Sequence, residues 1–418
     1  MSLIDKIKNT TFRGLENYDI PNFCTLHSIG LDLGITSYKQ SIKYFIKALF
    51  FEEFKYKYKC NNENKILFFY SNYYYRQDHF DTFMKFAKRI EIGDVLYPIK
   101  KKRKLKFILG IRNFVSVLPW IADMRNRNLS FQEKITILAV LHEINEFKKI
   151  MSTFKLSKYN LLVVYYDVNP IENMLVQHFK SLDKKTATLQ HGTFTAEKLD
   201  VNDVEYMGIE LKNSTSDYFL AWNQMTKDEG MMSGIDGSRI KVLGIPKYIN
   251  TIVKTELSNK NQKTFGVVLG TKSSDKQNIE LVKIANEIST RLGYKYMLKY
   301  HPTFNLNEYK FYTNTNYLGS FEKYMSIQEY SDSVDFTLVG NSSVYIELIF
   351  LKHRTYRLSS KDIIDKFDVI ETNRFSDSEE LYDIINNSND NVTEELFNYL
   401  CTTEDVYESY MNFFRSFI

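Results

Sequence analysis

Short apolar runs recurring between helical stretches confine this chain to one broad class of fold. Ile66-Leu67-Phe68-Phe69-Tyr70, Leu161-Leu162-Val163-Val164-Tyr165-Tyr166 and Phe265-Gly266-Val267-Val268-Leu269 are continuous rather than alternating in polarity. A strand of that kind has to be covered on both faces, which a parallel sheet between helical layers provides. After the first run, Phe80, Phe83, Ala87 and Ile90 keep helical spacing. Further helices are read near 131–157, 170–181, 276–292, 321–331 and 343–351. Strands are read at 186–190, 218–222, 240–243, 295–300, 335–339 and 354–358. The expected fold class is α/β, with two doubly wound Rossmann-like lobes and a cleft between them.

A chain of 418 residues exceeds what one core usually supports. Gly244-Ile245-Pro246-Lys247 closes the first strand-helix series, and the polar stretch 248–263 reads as a linker. The expected division is a mostly helical extension over 1–60, a first lobe over 61–247, the linker, and a second lobe over 264–391. Helices over 392–418 are expected to pack back on the first lobe.

Composition narrows the function. A net charge of +4 is small for this length and argues against a nucleic-acid partner. Cys24, Cys60 and Cys401 are far apart and lack metal-site spacing, so reduced, metal-free chemistry is expected. The N-terminus has no apolar core of signal-peptide length, and no run of about 18 apolar residues occurs, so a cytoplasmic location is expected. Lys100-Lys101-Lys102-Arg103-Lys104-Leu105-Lys106 precedes an apolar stretch. That pairing suits a peripheral hold on anionic lipid, at about 1 kcal/mol per cation, or else a solvated turn leading into a core helix.

Chemistry-bearing residues gather at the expected strand ends. In Lys299-Tyr300-His301-Pro302, proline stops the strand and leaves the imidazole at the sheet rim, where it can donate to a phosphate. Gly340-Asn341-Ser342-Ser343 follows another strand and opens a helix, offering backbone N–H groups and two hydroxyls to an anion. Gly270-Thr271-Lys272 adds a cation at a third strand end, and Glu347 is placed to accept from a ribose hydroxyl. In the first lobe, Gln190-His191-Gly192-Thr193 ends a strand, and His191 could take a proton from an acceptor hydroxyl. Asp167 is the competing base if burial raises its pKa, although Asp167-Val168-Asn169-Pro170 is also an ordinary helix start. His142, with Glu143 and Glu146, lacks the spacing of a zinc helix and reads as surface or core-edge.

The His-Pro, Ser-Ser and His-Gly motifs together resemble the GT-B-fold transferases that build bacterial surface polysaccharides. The resemblance spans about residues 160–360. Within that group it looks most like the enzymes with cytidine-activated donors: sialyl- and polysialyltransferases, Kdo transferases, and CDP-glycerol or CDP-ribitol phosphotransferases. It implies donor contacts at His301, Ser342, Ser343 and Glu347; Pro302, Asn341, Gly270, Thr271 and Lys272 at the same strand ends complete the expected donor site, and Gln190, Gly192 and Thr193 the expected side for an acceptor glycan, free or lipid-linked. It assigns the base to His191 or to Asp167 according to branch. The chain departs from the polyol-phosphate pattern, since Gln190 replaces the usual Trp before His-Gly and Gly340-Asn341 stand before the serines. Gly-Asn-Ser-Ser and Gly-Ile-Pro-Lys also resemble pieces of the UDP-GlcNAc 2-epimerases. The implied function is a metal-independent glycosyltransferase without a cofactor, using a nucleotide-activated donor, with CMP-sugars favoured, in capsule or cell-surface polysaccharide synthesis. Polyol-phosphate transfer, an epimerase, and a non-enzymatic glycan- or membrane-binding protein are the alternatives.

Overall fold

A computed structural model describes residues 11–20, 38–50, 54–59, 61, 63–71, 77–100, 107–125, 128–192, 214–249, 263–271, 274–301, 304, 308–323, 325–359, 367, 370–387, 393–401 and 405–418. Pro302, Lys272, Thr193, Lys101–Lys106 and most of the expected linker lie outside them.

The first sheet holds β1 (Phe54–Lys59), β2 (Ile66–Phe69), β3 (Gly93–Lys100), β4 (Leu161–Val164), β5 (Lys185–Leu189), β6 (Tyr218–Ala221) and β7 (Ile240–Val242). Its order is β1-β3-β2-β4-β5-β6-β7, parallel throughout except for the antiparallel edge strand β1. The second holds β8 (Thr264–Val268), β9 (Lys295–Lys299), β10 (Tyr317–Ser320), β11 (Thr337–Val339), β12 (Thr355–Leu358) and β13 (Arg374–Phe375). Its order is β10-β9-β8-β11-β12-β13, all parallel. Every residue of β2 and β4 is buried, as their unbroken apolar sequences require. Two Rossmann-like sheets facing a shared cleft make this a GT-B type of α/β architecture.

Around the first sheet are α1 (Tyr38–Phe50), α2 (Gln77–Ile90), α3 (Phe107–Asp123), α4 (Phe131–Met151), α5 (Pro170–Lys180) and α6 (Gln224–Met232). Around the second are α7 (Asp275–Leu292), α8 (Ile327–Ser331), α9 (Val344–Phe350) and α10 (Ser378–Asn387), and the chain closes with α11 (Glu394–Leu400) and α12 (Val406–Arg415). β1 corrects the mostly helical reading of 1–60. In Phe54-Lys55-Tyr56-Lys57-Tyr58-Lys59 the residue type alternates, so Tyr56 packs against Phe69 and Phe147 while Lys57 and Lys59 stay exposed. Exposed lysines of this kind discourage further pairing at a sheet edge. The helix expected from 321 starts only at 327, where Ser326 and Glu329 form a capping box, and β10 ends at Ser320, just before the expected start. His142 is buried in α4 rather than at its surface, and burial lowers its pKa.

The closing helices lie against the first lobe. Phe414 of α12 packs edge-on to Phe68 at 5.6 Å, Tyr410 meets Phe86 at 4.8 Å, and the Tyr410 hydroxyl donates to the Gly244 carbonyl at 3.1 Å. Asn223 donates to the Leu400 carbonyl at 2.8 Å, and Tyr248 stacks on Phe350 at 4.7 Å. One apolar cluster therefore runs from β2 through α12 to α9, fastening the lobes together. Because Phe414 is fully buried in that cluster, Phe414→Ala is expected to cost about 3–5 kcal/mol in urea unfolding. A loss below about 1 kcal/mol would show that α12 is not packed there.

Candidate functional site

Each sheet has one place where the strand order reverses. The chain runs outward from β2 to β3 and then returns to the other side of β2 with β4; in the second sheet β8 and β11 stand in the same relation. At such a point successive crossovers leave in opposite directions, and a crevice opens beyond the strand carboxyl ends.

The residues following β8 and β11 are Gly270-Thr271 and Gly340-Asn341-Ser342-Ser343, and those following β9 are Tyr300-His301. The crevice therefore gathers Gly270, Thr271, His301, Asn341, Ser342, Ser343 and Glu347 around a single cleft of about 990 Å³. Gln277 of α7 accepts from the Asn341 backbone N–H at 3.0 Å. A Cβ on Gly340 would collide with the same Gln277 side chain, so glycine is what lets the loop approach α7. Ser343 occupies the N-cap position of α9 yet makes no side-chain capping bond, and Ser342 Oγ takes only a long bond of 3.4 Å from Val344 N. Capping does not account for the Ser343 hydroxyl.

The cleft is electropositive. Lys85, Lys88 and Arg89 from α2 face it, together with Lys247, Lys299 and Lys323, against three carboxylates, Asp81, Glu91 and Glu347. Lys299 is mostly buried and donates to the Met325 carbonyl at 2.9 Å; burial, with Lys247 nearby, holds its pKa below the usual lysine value. These lysines and Arg89 were not singled out from the sequence. The α2 trio is nevertheless legible there, because the apolar stripe Phe80, Phe83, Ala87, Ile90 turns 85, 88 and 89 away from the core. Glu347 lines the cleft, and its Oε2 accepts from Lys247 Nζ at 2.6 Å and from the Tyr248 hydroxyl at 2.7 Å. It thus ties α9 to the end of the first lobe.

In the first lobe, His191 lies against Tyr166, with ring centroids 3.7 Å apart, and 5.9 Å from His79 of α2. His79 also meets Tyr165 at 5.2 Å. The sequence reading missed His79, although its place in the first turn of the helix after β2 marks it as a switch-point residue. His191 is half-buried and in ring contact with His79, and α2 continues from His79 to Asp81 and Thr82 on the cleft wall. A Cβ on Gly192 would meet no atom within 4 Å among the described residues.

Asp167 and Gln190 are committed elsewhere. Asp167 is buried, and its Oδ2 accepts from Ser214 Oγ and from the backbone N–H groups of Thr215 and Ser216 at 2.8–3.0 Å. Burial raises its pKa, while those bonds oppose the shift. The carboxylate clamps the 214–216 segment. Gln190 is buried as well: its amide donates to the Gly192 carbonyl and Thr226 Oγ1 and accepts from Trp222 N. These bonds fix the β5–β6 rim. No group of His, Cys, Asp and Glu suited to a metal occurs among the described residues.

No protein-family model matches the chain, and no match was found among curated proteins. Among solved structures, the chain is similar to UDP-GlcNAc 2-epimerase from Methanocaldococcus jannaschii, at 12% identity and a TM-score of 0.49, covering 84% of this chain and 99% of that one. The UDP-GlcNAc 2-epimerase from Neisseria meningitidis bound to UDP-GlcNAc matches at 11% identity and 0.47, covering 84% and 98%. The lipopolysaccharide outer core galactosyltransferase WaaB, in its apo form, matches at 12% and 0.45, covering 84% and 100%. Likeness at this level says nothing about the reaction, and the architecture stands on the two sheets themselves.

Beneath the first-lobe crevice, Glu172 of α5 is fully buried, accepts from the Ser71 backbone N–H at 2.9 Å, and leaves Oε2 without a partner. Burial pushes its pKa from 4.5 up to about 7. The folded protein therefore keeps a proton that the unfolded chain releases above pH 4.5. The stability linked to it is complete below pH 4.5 and is lost as pH rises through about 7, a loss of roughly 3 kcal/mol. Glu172→Gln should remove that loss: its Tm should exceed wild type at pH 8 and converge with it near pH 5. Parallel Tm curves across that range would contradict the assignment.

Proposed function

We propose that this chain is a metal-independent glycosyltransferase that takes a sugar from a nucleotide-activated donor held in the second lobe and passes it to a glycan, free or lipid-linked, at the first. The observation that carries this reading is the convergence at the β8/β11 switch point. Backbone turns, two hydroxyls and His301 meet in a cleft ringed by six cations, and one of those hydroxyls has no capping role. A volume near 990 Å³ is at the upper end of what encloses a small-molecule ligand. The preference for a cytidine-activated donor comes from the His-Pro and Ser-Ser resemblance alone.

His191 serves as base in this reading, because the carboxylate of Asp167 is already held by three donors. The imidazole takes the acceptor hydroxyl proton, the freed oxygen bonds to the anomeric carbon, and the bond from that carbon to the donor phosphate breaks. The electron pair leaves on the phosphate oxygen. Lys299 and His301 meet the charge that develops there, the role of preorganised donors aimed at a leaving group. Tyr166 steadies the imidazole through its ring contact.

Thermal shifts with CMP, CDP, UDP and GDP, followed by product mass, test the reading. At least one nucleotide should raise the Tm, and His301→Ala should keep the fold while losing that shift and the turnover. His191→Ala should lower turnover about a hundredfold or more, whereas Asp167→Asn should cost less than about tenfold. A product heavier than the acceptor by a sugar alone marks glycosyl transfer. An added phosphate would mean polyol-phosphate transfer, and donor turnover without acceptor would mean an epimerase. Stabilisation by none of the nucleotides, or wild-type turnover by folded His301→Ala protein, would overturn the proposal.

A further inference from the structure

α3 (Phe107–Asp123) breaks the usual rule for a surface helix. Asn113, Val117, Trp120 and Met124 turn inward; Trp120 Nε1 donates to the Arg13 carbonyl at 3.1 Å, and Asn113 donates to the Leu49 carbonyl of α1 at 2.9 Å. The outward face should then be polar. It is apolar instead: Phe114, Val115, Leu118 and Ile121 are 47%, 58%, 43% and 44% exposed, with Pro119 and Ala122 exposed between them. At 3.6 residues per turn these six positions span about 160° of the helix, and none of them is polar or charged. Contiguous exposed apolar surface of this kind marks an interaction site.

We propose that this face of α3 docks on an anionic lipid bilayer. Charge selects the occupant. From Tyr97 to Ala122 the sequence carries seven lysines and arginines and no aspartate or glutamate. Most of them belong to Lys100–Lys106, which leads directly into the first turn of α3. The neighbouring α1 carries Lys39, Lys43 and Lys47, also without a carboxylate, and Lys39 and Lys43 are exposed. Apolar side chains entering the headgroup boundary beside clustered cations are the requirements for binding at a negatively charged membrane surface. A second copy of the chain fits less well, because both sides of a two-fold interface through this face would carry the same excess of cations. The helix lies on the bilayer rather than through it. Seventeen residues make about 25 Å, less than the hydrocarbon thickness of about 30 Å. Among the described residues no helix is long and apolar enough to cross.

The surface is separate from the nucleotide cleft, so its test does not depend on the proposed reaction. The full chain is sedimented with vesicles of phosphatidylcholine alone and with vesicles mixed with phosphatidylglycerol. Binding is expected to the mixed vesicles only, and to weaken as salt is raised. The double variant Leu118→Glu/Ile121→Glu should reduce partitioning at least about tenfold while leaving Tm and any nucleotide thermal shift unchanged. Phe114→Ser/Val115→Ser should do the same by a milder change. Equal binding to neutral vesicles, no binding to either, or binding that both variants retain would overturn the proposal. So would a dimer in solution that the variants dissociate while vesicle binding is absent, since that would make the face an interface between copies.

Discussion

Parallel strands cannot be joined by tight turns, and the crossovers this imposes govern the rest of the molecule. In each sheet the first parallel strand ends up inside, β2 between β3 and β4 and β8 between β9 and β11, so the connections on its two sides diverge. The divergence leaves uncovered backbone at the strand ends, and the polar residues of the chain collect there. The second-lobe crevice is walled on the other side by α2 and the 246–249 turn of the first lobe, which requires the lobes to be held in fixed relation. Phe414 and Tyr410 against Phe68 and Phe86, with Tyr248 stacked on Phe350, provide that hold.

Electrostatics then set what the cleft can receive. Cations outnumber carboxylates along its walls, and Glu347, one of the carboxylates, is neutralised by Lys247 at 2.6 Å. The Lys247–Glu347 contact is partly exposed, so its weight in stability is small. Its value is positional: it joins the last turn of the first lobe to the helix that carries Ser343 at its start. Lys299, kept partly dry at the end of β9, presents a cation whose charge costs free energy until an anion arrives.

Legibility in the sequence followed the physics of each element. Fully buried strands such as β4 announce themselves, because both faces need apolar residues and the run is unbroken. β1 was absorbed into the helical reading of 1–60, although lysine at every other position of Phe54–Lys59 is the period-two pattern of a charged edge strand. β3 and β10 were missed for a related reason, being strands near sheet edges with mixed polarity. Glycine, histidine and paired serines at strand ends stand out in the sequence because they are few and distinctive, and the sheet order brings Gly270, His301, Ser342 and Ser343 to one cleft. The roles of Asp167, Gln190 and Glu347 were not readable, since each depends on a partner far away in the chain: Ser214–Ser216, Trp222 and Thr226, and Lys247 with Tyr248. His79 escaped notice because its only mark is a place in space beside His191.

A phosphate site in the β8/β11 crevice is the feature on which the proposed chemistry depends. A structure determined with a bound nucleoside mono- or diphosphate addresses it directly. The phosphate is predicted within hydrogen-bonding distance of Ser342, Ser343 or the Asn341 backbone, with His301 on its other side. A nucleotide bound in the first-lobe crevice beside His191, or on the outer surface with those residues untouched, would contradict the account.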